Sequence, residues 1–158
     1  MKITGALDLS HLNFSLSFMR HGQALSNLEG LSDKVDAPLT EEGKLQASNV
    51  GGHYDLVILS PLRRCMETLL YSKITYENVL VSYDVREFAI NPCDLLPGES
   101  GQDRPEDLQT RIAGLEKTLS TVGDHLRVLI ISHAYFFNAW FMQDCCPAPE
   151  HATILRLN

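Results

Sequence analysis

Apolar residues fall in short, nearly uniform runs that alternate with amphipathic stretches from one end of the chain to the other. The runs Phe14 to Met19, Asp55 to Ser60, Asn78 to Tyr83, Arg127 to Ser132 and Ala152 to Leu157 read as five strands. Several lack the in-out alternation of a half-exposed sheet, as expected of parallel strands covered on both faces. Between them lie helical patterns. After the second strand, Ser60 is placed to cap a helix that Pro61 begins, with Leu62, Cys65, Met66, Leu69 and Leu70 on one face. A second helix is predicted from Pro105, where Leu108, Ile112, Leu115, Leu119 and Val122 keep a three-four spacing and Gly123 supplies the stop. Thr40, followed by Glu41 and Glu42, starts a third, which Gly51-Gly52 is expected to end. The stretch from Phe88 to Gln102, broken by Pro, Gly, Asn and Asp, reads as a loop. Strands alternating with helices predict a three-layer α/β/α domain with a mostly parallel central sheet.

Composition narrows this picture without redirecting it. The 158 residues suit one domain, residues 1–158, of which 1–13 form an N-terminal extension. The formal net charge of -7 argues against nucleic acid or an anionic membrane as partner, since both call for a broad basic surface. Any positive site must then be local. Cys65, Cys93, Cys145 and Cys146 lack CxxC spacing and read as buried or free thiols in a reducing compartment. Lys2 precedes a stretch interrupted by Asp8, His11 and Asn13, so no signal or spanning segment is expected and a cytoplasmic address follows by default.

The chemistry-bearing residues sit where parallel sheets gather ligands, at the carboxyl ends of the strands. Arg20-His21 follows the first strand, Ser60 and Arg63-Arg64 the second, Arg86-Glu87 the third and His133 the fourth. Guanidinium groups beside imidazoles suit phosphate, because arginine makes charge-assisted, often bidentate bonds to its oxygens. A neutral histidine can attack phosphorus in line while arginines hold the charge on the other oxygens and an acid, here Glu87, protonates the departing group. The blander readings are a surface ion pair of Arg63 with Glu67, surface or loop positions for His11, His53, His125 and His151, and core packing for Tyr135, Phe136, Phe137, Trp140 and Phe141. Tyr135 and one of the loop histidines are the positions to watch at a substrate entrance.

Taken in order, these segments resemble the histidine phosphatase superfamily, the phosphoglycerate mutase-like proteins. Arg20-His21-Gly22-Gln23 with Asn27 is similar to its RHGxxxxN signature. Leu39 to Ala47 resembles LTxxGxxQA, and Ser60 to Thr68 resembles SPLxRAxQT. Glu87 falls where the family acid is expected, Pro97-Gly98-Glu99-Ser100 resembles PGES, and Ile130 to His133 resembles the strand leading to a second histidine. Two departures stand out. Ala134-Tyr135 follows His133 where the family commonly has glycine, and Gly101 to Pro105 separates the PGES-like segment from Glu106-Asp107-Leu108.

The resemblance implies a phosphoglycerate mutase-like fold in which His21 becomes phosphorylated and Arg20, Arg64 and His133 complete the phosphate pocket. It further implies phosphate contacts from Asn27 and Ala134, Glu87 as proton donor, and neither metal nor cofactor. Arg64 rather than Arg63 follows from the family's count from Ser60. The expected substrate is a phosphorylated small molecule or a phosphoprotein, with oligomeric state left open. Hydrolysis is the primary reading. A mutase is the nearest rival, and the family's mutases carry a longer region between the acid and PGES than the Phe88 to Leu96 stretch present here. A noncatalytic phosphate-binding or scaffold module is the rival from another class.

Overall fold

The structure, a computed structural model, describes residues 8–141 and 148–158. Cys145 and Cys146 lie outside the described residues, so the thiol reading applies to Cys65 and Cys93, which are buried and free. In chain order the elements are β1 (Ser15–Arg20), α1 (Glu41–Ser48), β2 (Gly51–Leu59), α2 (Arg63–Tyr71), β3 (Lys73–Val81), α3 (Pro105–Leu119), β4 (Arg127–Ser132), α4 (Ala134–Phe141) and β5 (Ile154–Arg156). They form one five-stranded sheet in the order β3-β2-β4-β1-β5. β3, β2, β4 and β1 run parallel, and β5 lies antiparallel on β1.

Each face of this sheet is covered over β1, β2 and β4, which gives the three layers, while the edge strand β3 is exposed at every residue but Ile74. Leu16, Phe18, Ile58, Val128 and Ile130 project onto α3 and α4, where Leu108, Ile112, Leu115, Phe136 and Trp140 meet them. Met19, Val57, Leu59, Leu129 and Ile131 project the other way, onto Cys65 and Leu69 of α2. α1 packs on α2 outside that layer. The uniform apolar runs of β1 and β4 are thus explained by burial on both faces.

Several boundaries differ from the sequence reading, each for a tertiary reason. Gly51-Gly52 does not end α1. Asn49 caps the helix, and the two glycines open β2, pairing with Lys73 and Ile74 of a β3 that starts five residues earlier than its apolar run suggests. Ser60 does not cap α2 either. Its hydroxyl meets His133 Nε2 at 2.8 Å and accepts the Leu62 amide, so the helix begins at Arg63, whose amide is capped from outside by Asp36 Oδ1 at 2.7 Å. α3 stops at Leu119 with Ser120 as its cap, short of Gly123. Within the loop after Glu87, Pro92–Asp94 forms a turn of 3-10 helix.

Candidate active site

The motif segments bind one another before they bind anything else. Gly22 follows β1, and its amide donates to Thr68 Oγ1 of α2 at 2.9 Å. Thr40 caps α1 by accepting the Gly43 amide at 3.0 Å, while Gln46 Oε1 accepts the Gln23 amide at 2.8 Å. Gly43 is required by contact rather than by backbone angle, because a Cβ there would lie 2.0 Å from the Gln23 carbonyl oxygen. Glu67 Oε1 accepts the Leu39 amide at 3.1 Å. The three segments therefore clamp the turn after β1, and that turn carries His21.

His21 is buried and its ring is held in one tautomer. Nδ1 donates to the Gly22 carbonyl at 2.6 Å, which leaves the Nε2 lone pair facing the Arg64 Nε–H at 3.2 Å. Burial, then the neighbouring Arg64 charge, hold its pKa well below the usual histidine value, so the ring is the neutral nucleophilic form at neutral pH. His133, whose ring centroid is 5.2 Å from that of His21, is likewise kept neutral, by burial first and Arg64 second. Its Nε2 faces the Ser60 hydroxyl at 2.8 Å and the Cys65 thiol at 3.4 Å. With the Ser60 hydroxyl donating to Nε2, the ring proton sits on Nδ1. Among the described residues neither that Nδ1 nor Nε of Arg20, both buried, has a hydrogen-bond partner. Burial pushes the Cys65 thiol up to about 12, which removes it as a nucleophile.

Glu87 sits between the end of β3 and the start of α4. Its carboxyl accepts the amides of Phe88 at 3.0 Å, Phe136 at 2.9 Å and Tyr135 at 3.3 Å. Burial raises its pKa above the ordinary carboxylate value, against the pull of Arg64 and the Phe88 amide and with the help of Asp94. Part of its surface opens on a cleft of about 340 Å³ that Arg86, Glu99, Ser100 and Asp103 also line.

Arg20, His21, Arg64, Glu87 and His133 therefore come together from four strand ends. The remaining positions divide. Ala134 opens α4 directly after His133. Asn27 closes a turn of its own, with Oδ1 accepting the Ala24 amide at 2.8 Å. Arg63 is an exposed residue paired with Glu67, as its i,i+4 spacing predicts. Arg86 is occupied by Glu99 at 2.7 Å. Tyr135 is exposed and stacks on Phe88, with ring centroids 5.1 Å apart, so it is a surface residue beside Glu87 and not part of the core.

Two residues of the site escape the sequence reading. His151, grouped there with the surface and loop histidines, lies tilted against His21 with ring centroids 5.6 Å apart, and its Nδ1 donates to the His21 carbonyl at 2.9 Å. Nothing local marks it, because its place comes from pairing beside Arg20 across 131 residues of chain. Asp94 binds Arg64 Nη2 at 3.0 Å in a buried ion pair. The Asn91 to Asp94 spacing, a capping-box pattern at a turn, is the local signal that could have singled it out.

A mostly parallel sheet thus ends in two neutral histidines, two arginines and a carboxyl whose pKa is raised by burial, an α/β architecture with a cationic, donor-rich cluster at its carboxyl edge. The sequence model of the histidine phosphatase superfamily (branch 1) matches residues 16–104, more than half of the chain, and the protein belongs to that family. Similar solved structures include the alpha-ribazole phosphatase of Shigella flexneri, 17% identical with a TM-score of 0.66 over 89% of this chain and 88% of that one. The phosphoglycerate mutase of Thermus thermophilus is 19% identical, with a TM-score of 0.66 over 91% and 92%. The phosphoserine phosphatase of Entamoeba histolytica, solved with 3-phosphoglyceric acid, is 19% identical with a TM-score of 0.52 over 80% and 77%. These likenesses carry the fold. No curated protein sequence is similar enough to count as a relative. Among the described residues no helix is long and apolar enough to cross a membrane, and no cluster of three or more His, Cys, Asp or Glu residues could hold a metal ion.

Proposed function

We propose that the protein is a phosphatase that hydrolyses a phosphomonoester or related phosphoryl compound through phosphohistidine at His21. One observation carries the reading: two buried side-chain nitrogens with no hydrogen-bond partner among the described residues, Arg20 Nε and His133 Nδ1, accompany a histidine whose tautomer leaves Nε2 basic. Unpaired buried donors are costly, and an oxyanion ligand is what satisfies them. In the first step His21 Nε2 forms a bond to phosphorus as the bond to the leaving oxygen breaks, and Glu87 gives that oxygen its proton. In the second, the Glu87 carboxylate takes a proton from water, the hydroxide oxygen bonds to phosphorus, and the P–N bond breaks to return neutral His21 and phosphate. Arg20, Arg64 and His133 hold the equatorial oxygens, with Asn27 and the Ala134 amide at the rim.

Hydrolysis is favoured over transfer by the shortness of the Phe88 to Leu96 stretch and by the surface cleft that reaches Glu87, a route for water. Trapping tests the reading. Rapid mixing with a radiolabelled aryl phosphate, then denaturation, should leave acid-labile, alkali-stable label on the wild type and none on a folded His21→Ala protein, which should also lose turnover. Near wild-type hydrolysis by His21→Ala would sink it.

A further inference from the structure

Arg64 is almost wholly buried, and each of its three side-chain nitrogens is engaged by the protein. Nε donates to His21 Nε2 at 3.2 Å, Nη1 to the Cys93 carbonyl at 2.7 Å and Nη2 to Asp94 Oδ1 at 3.0 Å. Two of the three partners belong to one short loop. That loop is closed by the same Asp94, whose Oδ2 accepts the amides of Ile90 at 3.2 Å and Asn91 at 3.1 Å. It is tied to the segment before α1 by the Cys93 amide, which donates to the Ser32 carbonyl at 3.2 Å. One carboxylate thus organises the loop with one oxygen and fixes the guanidinium with the other.

This is an unexpected neighbour for an oxyanion. A dianionic phosphoryl group entering the pocket meets the charges of Arg20 and Arg64, and Asp94 already cancels one of them. Asp94 alone among the site's groups is an anion buried against an arginine, with side-chain exposures of 9% and 3%. An arrangement built only for affinity would leave both cations uncompensated. An enzyme that must release phosphate every cycle gains from the offset, because a ground state bound too tightly slows turnover.

We propose, resting on the phosphatase reading above, that Asp94 is a positioning residue that holds Arg64 in register with His21 and sets the affinity of the pocket for phosphate by cancelling one guanidinium charge. The probe is inorganic phosphate, titrated into the full chain by calorimetry and repeated as an inhibitor of aryl phosphate hydrolysis. Asp94→Asn should bind phosphate at least about tenfold more tightly, as removal of a unit charge a few ångströms from the anion requires. Its kcat should fall, since the amide can serve either the Ile90 and Asn91 amides or Arg64 and no longer both. Asp94→Glu, which keeps the charge, should return phosphate affinity towards the wild type. A merely structural role predicts the opposite sign, with looser phosphate binding in both variants. Should Asp94→Asn not fold, Asp94→Ser keeps an acceptor for the turn and removes the charge. Unchanged or weaker phosphate binding in the folded neutral variant, or equal tightening in Asp94→Glu, overturns the proposal while wild-type turnover leaves the phosphatase reading intact. A wild type that neither binds phosphate nor hydrolyses any ester overturns both.

Discussion

Replacing Glu87 by glutamine separates proton donation from every other job this residue performs. The glutamine Oε1 can keep the amides of Phe88 at 3.0 Å and Phe136 at 2.9 Å. Its amide nitrogen then faces the Tyr135 amide across the longest of the three contacts, 3.3 Å, so the structural cost is that of one weak hydrogen bond, about 1 kcal/mol. The chemical cost is larger. General-acid catalysis is worth about a hundred- to ten-thousandfold, roughly 3–5 kcal/mol in the barrier, and all of it is at stake for an alkyl phosphate whose alkoxide cannot leave unprotonated. An aryl phosphate, whose phenolate departs alone, should lose less than about tenfold. The pH dependence supplies a second reading. Burial raises the Glu87 pKa, so the carboxyl keeps its proton beyond the usual carboxylate range and surrenders it as pH rises through the raised value. Wild-type alkyl phosphate hydrolysis should fall on that alkaline limb, and Glu87→Gln should lack the limb. On the acid side the lowered pKa of His21 keeps the nucleophile neutral to low pH, which places the optimum in mildly acidic solution. The assay is kcat/KM against pH for one alkyl and one aryl ester. Equal losses on both esters with the alkaline limb unchanged would refute the acid role, and Glu99, another carboxylate lining the cleft, would take over the assignment.

Alanine at Arg20 or Arg64 should lower kcat/KM at least about a hundredfold, because each removes charge stabilisation from a water-poor site. Arg63→Ala, which loses only an exposed pair with Glu67, should stay within a few-fold of wild type, and the reverse ranking would show the α2 register to be misassigned. Activity should survive EDTA, since arginines carry the charge a metal would otherwise neutralise; loss in EDTA with recovery on adding a divalent cation contradicts this. Acid should destabilise the fold through His21 and His133, whose folded pKa values lie well below the usual 6.5, so their stabilisation is present above 6.5 and is lost as the unfolded chain takes up protons below it. In the Glu87→Gln background, where the opposing carboxyl is absent, the unfolding free energy in urea should drop by about 3 kcal/mol between pH 7.5 and 5.5, and a flat profile would refute the neutral-histidine assignment.

The sheet and the strand-end chemistry are legible in the sequence because both follow from short-range patterns. Runs such as Arg127 to Ser132 are apolar at consecutive positions, and a reactive residue that follows such a run has one place to go. The errors arise where a local signal competes with a distant partner. Ser60 carries the preferred chemistry of a helix cap, yet its hydroxyl is claimed by His133, 73 residues away. Gly51-Gly52 has the composition of a helix stop and the position of a ladder start. The antiparallel direction of β5 is set by its place at the edge of β1, where three residues pair, and a three-residue run records no direction. His151 and Asp94 belong to the same class: each reaches the site through a contact that only the folded chain creates.

The same contacts explain how a chain of net charge -7 presents a site for anions. Outside the pocket four arginines are matched to carboxylates: Arg63 to Glu67, Arg86 to Glu99, Arg104 to Asp107 and Arg111 to Asp103. Each pair cancels its own field within a few ångströms, while within the pocket positive charge is left at Arg20, the guanidinium that Asp94 does not offset. On the phosphatase reading, the net charge of the chain then works against long-range attraction of a phosphate dianion. Recognition depends on the last few ångströms, on hydrogen-bond donors fixed in direction before the substrate arrives. On that reading such a site would discriminate by the shape of a phosphoryl group as well as by its charge, the property required of a pocket whose nucleophile must meet phosphorus in line.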